Sequence, residues 1–242
     1  QPNIPMAHGN LGESLRQLGR LGEAVASFRR AIELESGNPA AHSNLGIALR
    51  ELGRPEEAIA SYRRALELDP NMAEAHLNLG NLLREAGQAE EAAACYQRAL
   101  QAHAGSAGVF YSLGLALHEL GRHEEAAAAF GRSLELDSKA PKAHYNMGVV
   151  LGRLRRPDEA LECYRRALAL RPDYLSALRN LGTLLRMLGR PEEMAPHYQR
   201  AAELRPDDPA VHFELGNALG EAGRRAAGVE VDDRGAVDLR LG

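Results

Sequence analysis

Tryptophan is missing from this chain, and aromatic residues make up only 5% of its 242 positions. So sparse a supply argues against large stacking platforms for bases. An excess of basic charge is missing too. The formal net charge of −4 gives no global positive field, which argues against nucleic acid as the main partner. No apolar run approaches the ~20 residues that a membrane-spanning helix needs, so no membrane partner is expected. Two cysteines, Cys95 and Cys163, are too few for a disulfide framework. What remains is an ordered composition, 45% apolar and 26% charged, whose organisation lies in its spacing.

The stretch "AHSNLG" at 41–46 returns as "AHGNLG" at 7–12, "AHLNLG" at 75–80 and "AHYNMG" at 143–148. Frames of about 34 residues run 5–38, 39–72, 73–106, 107–140, 141–174, 175–208 and 209–242. Position eight of every frame is glycine, from Gly12 to Gly216, and position eleven is leucine, from Leu15 to Leu219. Position twenty is alanine in five frames (Ala24, Ala58, Ala92, Ala126, Ala160). Position twenty-four is aromatic in six: Phe28, Tyr62, Tyr96, Phe130, Tyr164 and Tyr198. Positions 4, 7, 8 and 11 share one helical face, and 20, 24, 27 and 28 share another. Glycines at position fifteen, such as Gly53, end the first helix, and prolines such as Pro55 open the second. Each frame therefore reads as a helix–turn–helix hairpin. A mid-helix glycine costs about 0.5–1 kcal/mol relative to alanine. Its recurrence implies close approach of the second helix, with the small alanine of position twenty as the expected neighbour.

The period, with its Leu-Gly, Ala, aromatic, Ala and Pro positions, resembles the tetratricopeptide repeat (TPR) family over about 220 residues. The resemblance implies an all-α fold, a right-handed superhelical solenoid of antiparallel helix pairs. It also implies a concave groove lined by the first helices. The chain opens with "QPNI", matching the repeat-closing "DPNM" at 69–72, so residues 1–4 read as the tail of a preceding repeat. A fragment of a longer protein is expected, with any targeting segment upstream. The cysteines are two periods apart, too far for a disulfide's ~7 Å Cα limit. They read as small buried or boundary residues of a reducing, cytoplasmic compartment.

Residues two apart on a helix point about 200° apart, so the His of "AHSNLG" should face inward and the Asn outward. Zinc requires several ligand nitrogens at ~2.0–2.1 Å from one ion. Histidines on successive helices with axes ~8–10 Å apart do not meet that, so a packed structural column is expected and no metal or other cofactor. The asparagine column comprises Asn10, Asn44, Asn78, Asn146 and Asn180, interrupted by Ser112 and ended by Glu214. An amide ladder can hold the backbone of an extended segment without reading its side chains. It is similar to the asparagine ladder in the TPR half of O-GlcNAc transferase. The alternative is that each amide braces adjacent helices. Position twelve adds Arg16, Arg50, Arg84 and Arg186, a mildly basic rim favouring acidic segments, or else a solvated charge face.

The lysine-and-asparagine clamp of TPR co-chaperones is absent, because position five carries no lysine in any frame. No nucleophile–base set or phosphate-binding loop lies outside the grid, so the chain is not expected to be an enzyme. The expected function is a scaffold binding an extended peptide or protein segment in the groove. Two rivals stand beside it: the substrate-recognition region of a larger glycosyltransferase similar to O-GlcNAc transferase, and an RNA-reading helical repeat, which the period and acidic balance disfavour. The pattern weakens at residues 102–110, at Arg155 in place of the turn glycine, and at Pro196 inside the second helix of frame six. Frame seven keeps a first helix over 209–222 and is expected to fray over 225–242.

Overall fold

A computed structural model describes residues 4–102, 105–226, 229–231 and 237–239. The chain forms two compact units, Gln1–Leu136 and Asp137–Gly242.

Unit one is a run of hairpins: α1 (Pro5–Gln17), α2 (Leu21–Leu34), α3 (Pro39–Glu51), α4 (Pro55–Leu68), α5 (Ala73–Glu85), α6 (Ala89–Ala102), α7 (Ala107–Glu119) and α8 (His123–Leu136). Each odd helix packs on the next even one, and α2, α4 and α6 also pack on the first helix that follows. Proline opens α1, α3 and α4, where its missing N–H is no loss. The turn glycines Gly19, Gly53, Gly87 and Gly121 stop the first helices with φ between 73° and 78°, a left-handed conformation that glycine adopts without strain. The next N–H reaches back to the helix, as in Arg54 N–H to the Leu49 carbonyl at 2.9 Å, and closes the turn.

The aromatic of each second helix fills the middle of its hairpin; Phe28, Tyr62, Tyr96 and Phe130 are fully buried. A Cβ on Gly46 would lie 2.8 Å from Tyr62 Cε1, and one on Gly114 would lie 2.7 Å from Phe130 Cε1. The neighbour that requires glycine at position eight is thus the ring of position twenty-four. The alanine of position twenty is also buried, yet it is not the atom a Cβ would meet. This corrects the expectation from sequence: the ring's edge reaches further across the hairpin than the alanine methyl.

Unit two contains α9 (Pro141–Arg153), α10 (Pro157–Leu170), α11 (Leu175–Met187), a 3-10 turn (Pro191–Glu193), α12 (Ala195–Leu204) and α13 (Pro209–Ala226). Leu151, Leu181, Leu185, Met194 and Tyr198 belong to its core. Pro196 delays the second helix of frame six: α12 begins at Ala195, with the proline in its first turn. Helix α13 continues to Ala226, past the expected end at 222. Two three-residue strands follow, β1 (Val229–Val231) and β2 (Val237–Leu239), antiparallel with Glu230 opposite Asp238. The sequence reading expected a frayed tail there. Residues 1–3 of the expected preceding repeat, 103–104 of the loose joint, and 227–228, 232–236 and 240–242 of the tail lie outside the described residues. The repeats are all-α, and no described helix is long and apolar enough to cross a membrane.

Candidate functional site

The histidine column belongs to the scaffold. His42 Nε2 donates to the Ser36 carbonyl at 3.1 Å, His76 to Pro70 at 2.9 Å, His144 to Ser138 at 3.0 Å and His212 to Pro206 at 2.7 Å. Each bond ties a first helix to the loop that leads into it, satisfying a loop carbonyl two residues past the end of the preceding helix. His76 is the most enclosed, 3% exposed. Among the described residues no three His, Cys, Asp or Glu side chains group as metal ligands.

The arginines of position twelve make a ladder along unit one. Arg16 bonds Glu51 at 2.6 Å and Glu13 at 2.7 Å, Arg50 lies 3.6 Å from Glu85, and Arg84 bonds Glu119 at 2.8 Å. Apart from the pair of Arg16 with Glu13, which lies within one frame, each pair links position twelve of one frame to position thirteen of the next. The hydrogen bond from Arg16 holds the Glu13 carboxyl below the usual carboxylate range, against the opposing effect of burial. Such partly exposed pairs contribute about 0–1 kcal/mol each, so their main consequence is electrostatic: the expected basic rim is largely neutralised. Arg186 is exposed on α11 and makes no ion pair among the described residues.

Three of the expected site residues come together. Arg16, Arg50 and Asn78 line a cavity of about 460 Å³ with Ile47, Glu51, Tyr62 and Glu74. The Tyr62 hydroxyl is buried here without a hydrogen-bond partner, and burial pushes its pKa up. The equivalent hydroxyls are satisfied: Tyr96 Oη donates to Asn81 Oδ1 at 2.8 Å, and Tyr198 Oη meets Thr183 Oγ1 at 3.2 Å. Asn81 and Thr183 occupy position nine, where frame two has Ile47. Frame five is likewise apolar at position nine, with Val149, but there the Tyr164 hydroxyl has Asn180 beside it, so position nine alone does not single out Tyr62.

The remaining expected residues are dispersed. Arg84 lines a different cavity of about 650 Å³ among Glu85, Glu90, Glu91 and Glu119. Asn10 is exposed on α1, and Asn44 and Asn146 are half-buried on α3 and α9. Asn180 braces unit two, because its amide donates to Tyr145 Oη at 3.2 Å. It also bears on the Tyr164 hydroxyl, whose pKa burial pushes up to about 12 while Asn180 opposes the rise. Asn180 lines a cavity of about 760 Å³ in unit two, with Arg153 and Arg155, which sequence reasoning did not place in a site. The cysteines are unpaired and half-buried, and burial raises both thiols, Cys163 to about 11.

A family model for the cilia and flagella-associated protein 70 C-terminal domain, a TPR domain, matches residues 35–231. The chain belongs to the tetratricopeptide repeat family. A TPR repeat model also matches residues 12–53. Among solved structures, YrrB, described as a TPR protein with an unusual peptide-binding site, is 26% identical. The match covers 80% of this chain and 97% of YrrB, with a TM-score of 0.69. PilF of Pseudomonas aeruginosa is 24% identical over 90% of this chain and 97% of its own, with a TM-score of 0.71. MamA of Desulfovibrio magneticus RS-1 is 24% identical over 70% of this chain and 96% of its own, with a TM-score of 0.66. These last two attest the TPR fold alone. No curated protein matches the chain in sequence.

Proposed function

We propose that this TPR array is a non-catalytic protein-interaction scaffold whose first helices hold an extended peptide or protein segment by its backbone. The observation that carries the reading is the unit-one cavity, which Asn78 lines together with Arg16 and Arg50. The half-buried Asn78 amide supplies both donors and an acceptor of the kind a peptide backbone requires. The amides of Asn10, Asn44 and Asn78 make no protein hydrogen bond among the described residues, so binding need not break a scaffold contact. Asn180 is the exception, held by Tyr145. YrrB, a similar TPR protein, has a peptide-binding site by its description, which favours the same class of partner. Neither the family model nor these relatives support the glycosyltransferase alternative.

The test begins with peptides selected on the immobilised chain from a random library. Each amide-to-backbone bond contributes about 0.5–1.5 kcal/mol net, so Asn44→Ala with Asn78→Ala should weaken a selected peptide by about 1–3 kcal/mol. That is roughly fivefold to a hundredfold in Kd, and it should be similar for peptides of unrelated sequence. The melting temperature should stay close to that of the parent. Unchanged affinity in a folded double variant refutes the backbone-ladder reading.

A further inference from the structure

The cavity of unit two has a charge balance unlike those of unit one, and the cause lies in a few positions of the repeat grid. Along unit one, arginine at position twelve meets glutamate at position thirteen of the next frame, as Arg16 meets Glu51 and Arg84 meets Glu119. Frame five instead reads Gly152-Arg153 and frame six Arg186-Met187. A cation and a thioether thus stand where the carboxylates belong.

Arg155 is a second departure. Five first-helix turns place glycine at φ between 66° and 78°: Gly19, Gly53, Gly87, Gly121 and Gly189. The turn after α9 uses Arg155 at φ 57°, a left-handed conformation that brings a Cβ close to the backbone carbonyl. The strain is retained at a residue that lines the cavity. Neither Arg153 nor Arg155 makes an ion pair among the described residues, and no Asp or Glu lines this cavity. Its other walls are largely aliphatic, among them Val149, Leu184 and Met187, the last 79% exposed.

We propose that this cavity is a docking subsite for an acidic peptide segment, with Asp or Glu carboxylates on Arg153 and Arg155 and an adjacent aliphatic side chain against Val149, Leu184 and Met187. The proposal rests on the peptide-scaffold reading and specifies its partner. Two unpaired guanidinium groups suit carboxylates, which they bind in a planar, two-pronged manner. The aliphatic walls favour a peptide over a free anion or a nucleic acid, neither of which offers an aliphatic side chain.

The test uses three fluorescein-labelled peptides of equal length, alternating Glu with Leu, Gln with Leu, and Lys with Leu. At low salt the Glu-Leu peptide should bind about tenfold or more tighter than the Gln-Leu one, and high salt should erase most of the difference. Arg153→Gln combined with Arg155→Gly should abolish the preference. Arg155→Gly restores the residue that the turn prefers, so this variant alone should melt no lower than the parent while losing part of the preference. Equal binding of the Glu-Leu and Gln-Leu peptides overturns the subsite but leaves the scaffold reading standing. If the Glu-Leu peptide does not bind, the subsite falls, and the library selection above decides the scaffold reading separately. Displacement of the Glu-Leu peptide by inorganic phosphate or single-stranded polyuridylate at matched charge would show a general anion site and overturn the peptide assignment.

Discussion

Replacing Gly80 with alanine should destabilise the third hairpin, although alanine is the better helix former. The added Cβ would lie 2.8 Å from Tyr96 Cε1, 3.1 Å from Cδ1 and 3.2 Å from Cζ. The ring cannot easily withdraw: Tyr96 is fully buried, and its hydroxyl is bonded to Asn81 on the same helix as Gly80. Forcing an extra methyl into such a contact costs about 1–3 kcal/mol. The gain in helix propensity offsets about 0.5–1 kcal/mol of that. Gly131, in α8 of the same unit, is the control, since a Cβ there meets nothing within 4 Å. Gly131→Ala should therefore stabilise by about 0.5–1 kcal/mol, leaving a gap of about 1–3 kcal/mol between the two variants. Repeat arrays can lose one hairpin before the rest, so urea unfolding should be paired with native-state hydrogen exchange over residues 73–102. In a Tyr96→Leu background the Gly80 penalty should shrink, which a double-mutant cycle reads directly. If Gly80→Ala and Gly131→Ala shift stability in the same direction by similar amounts, the ring contact does not explain glycine at position eight.

Asn38 caps α3 by accepting the Ala41 N–H on its Oδ1 at 3.2 Å, so Asn38→Ala should cost about 0.5–2 kcal/mol, measured by exchange of the first α3 amides; an unchanged rate refutes the cap. Burial, with Glu159 and Glu162 adding to it, raises the Cys163 thiol from 9.0 to about 11. Alkylation of Cys163 by iodoacetamide should therefore be slow at pH 8 and climb about tenfold per pH unit through pH 10; a plateau near pH 9 in the folded chain would contradict the burial. Because the folded value lies above the unfolded one, this thiol's contribution to stability is present below pH 9 and is lost as pH rises toward 11.

The sequence by itself determined the period, the hairpin within each period and the turn between its helices. Those features follow from short-range rules: helical spacing of apolar residues, glycine where φ must be positive, and proline where an N–H is not needed. Position six was also legible as lying off the core face, since that depends only on helical geometry. Partnerships between repeats were decided by tertiary structure. Nothing local says that the ring of position twenty-four, rather than the alanine of position twenty, is what a Cβ on Gly46 or Gly80 would meet. Nor does spacing say that Asn180 is held by Tyr145 while Asn78 is not so engaged, or that Arg16 reaches Glu51 in the next frame. Arg155 was visible as a break in the glycine pattern, but only the fold brought it to the same cavity as Arg153. The alternation Val229-Glu230-Val231 and Val237-Asp238-Leu239 was a legible strand signal that frame counting hid. The physical reason is common to all of these: periodicity fixes which face a residue occupies, whereas the packing of one helix on another fixes which neighbour it meets.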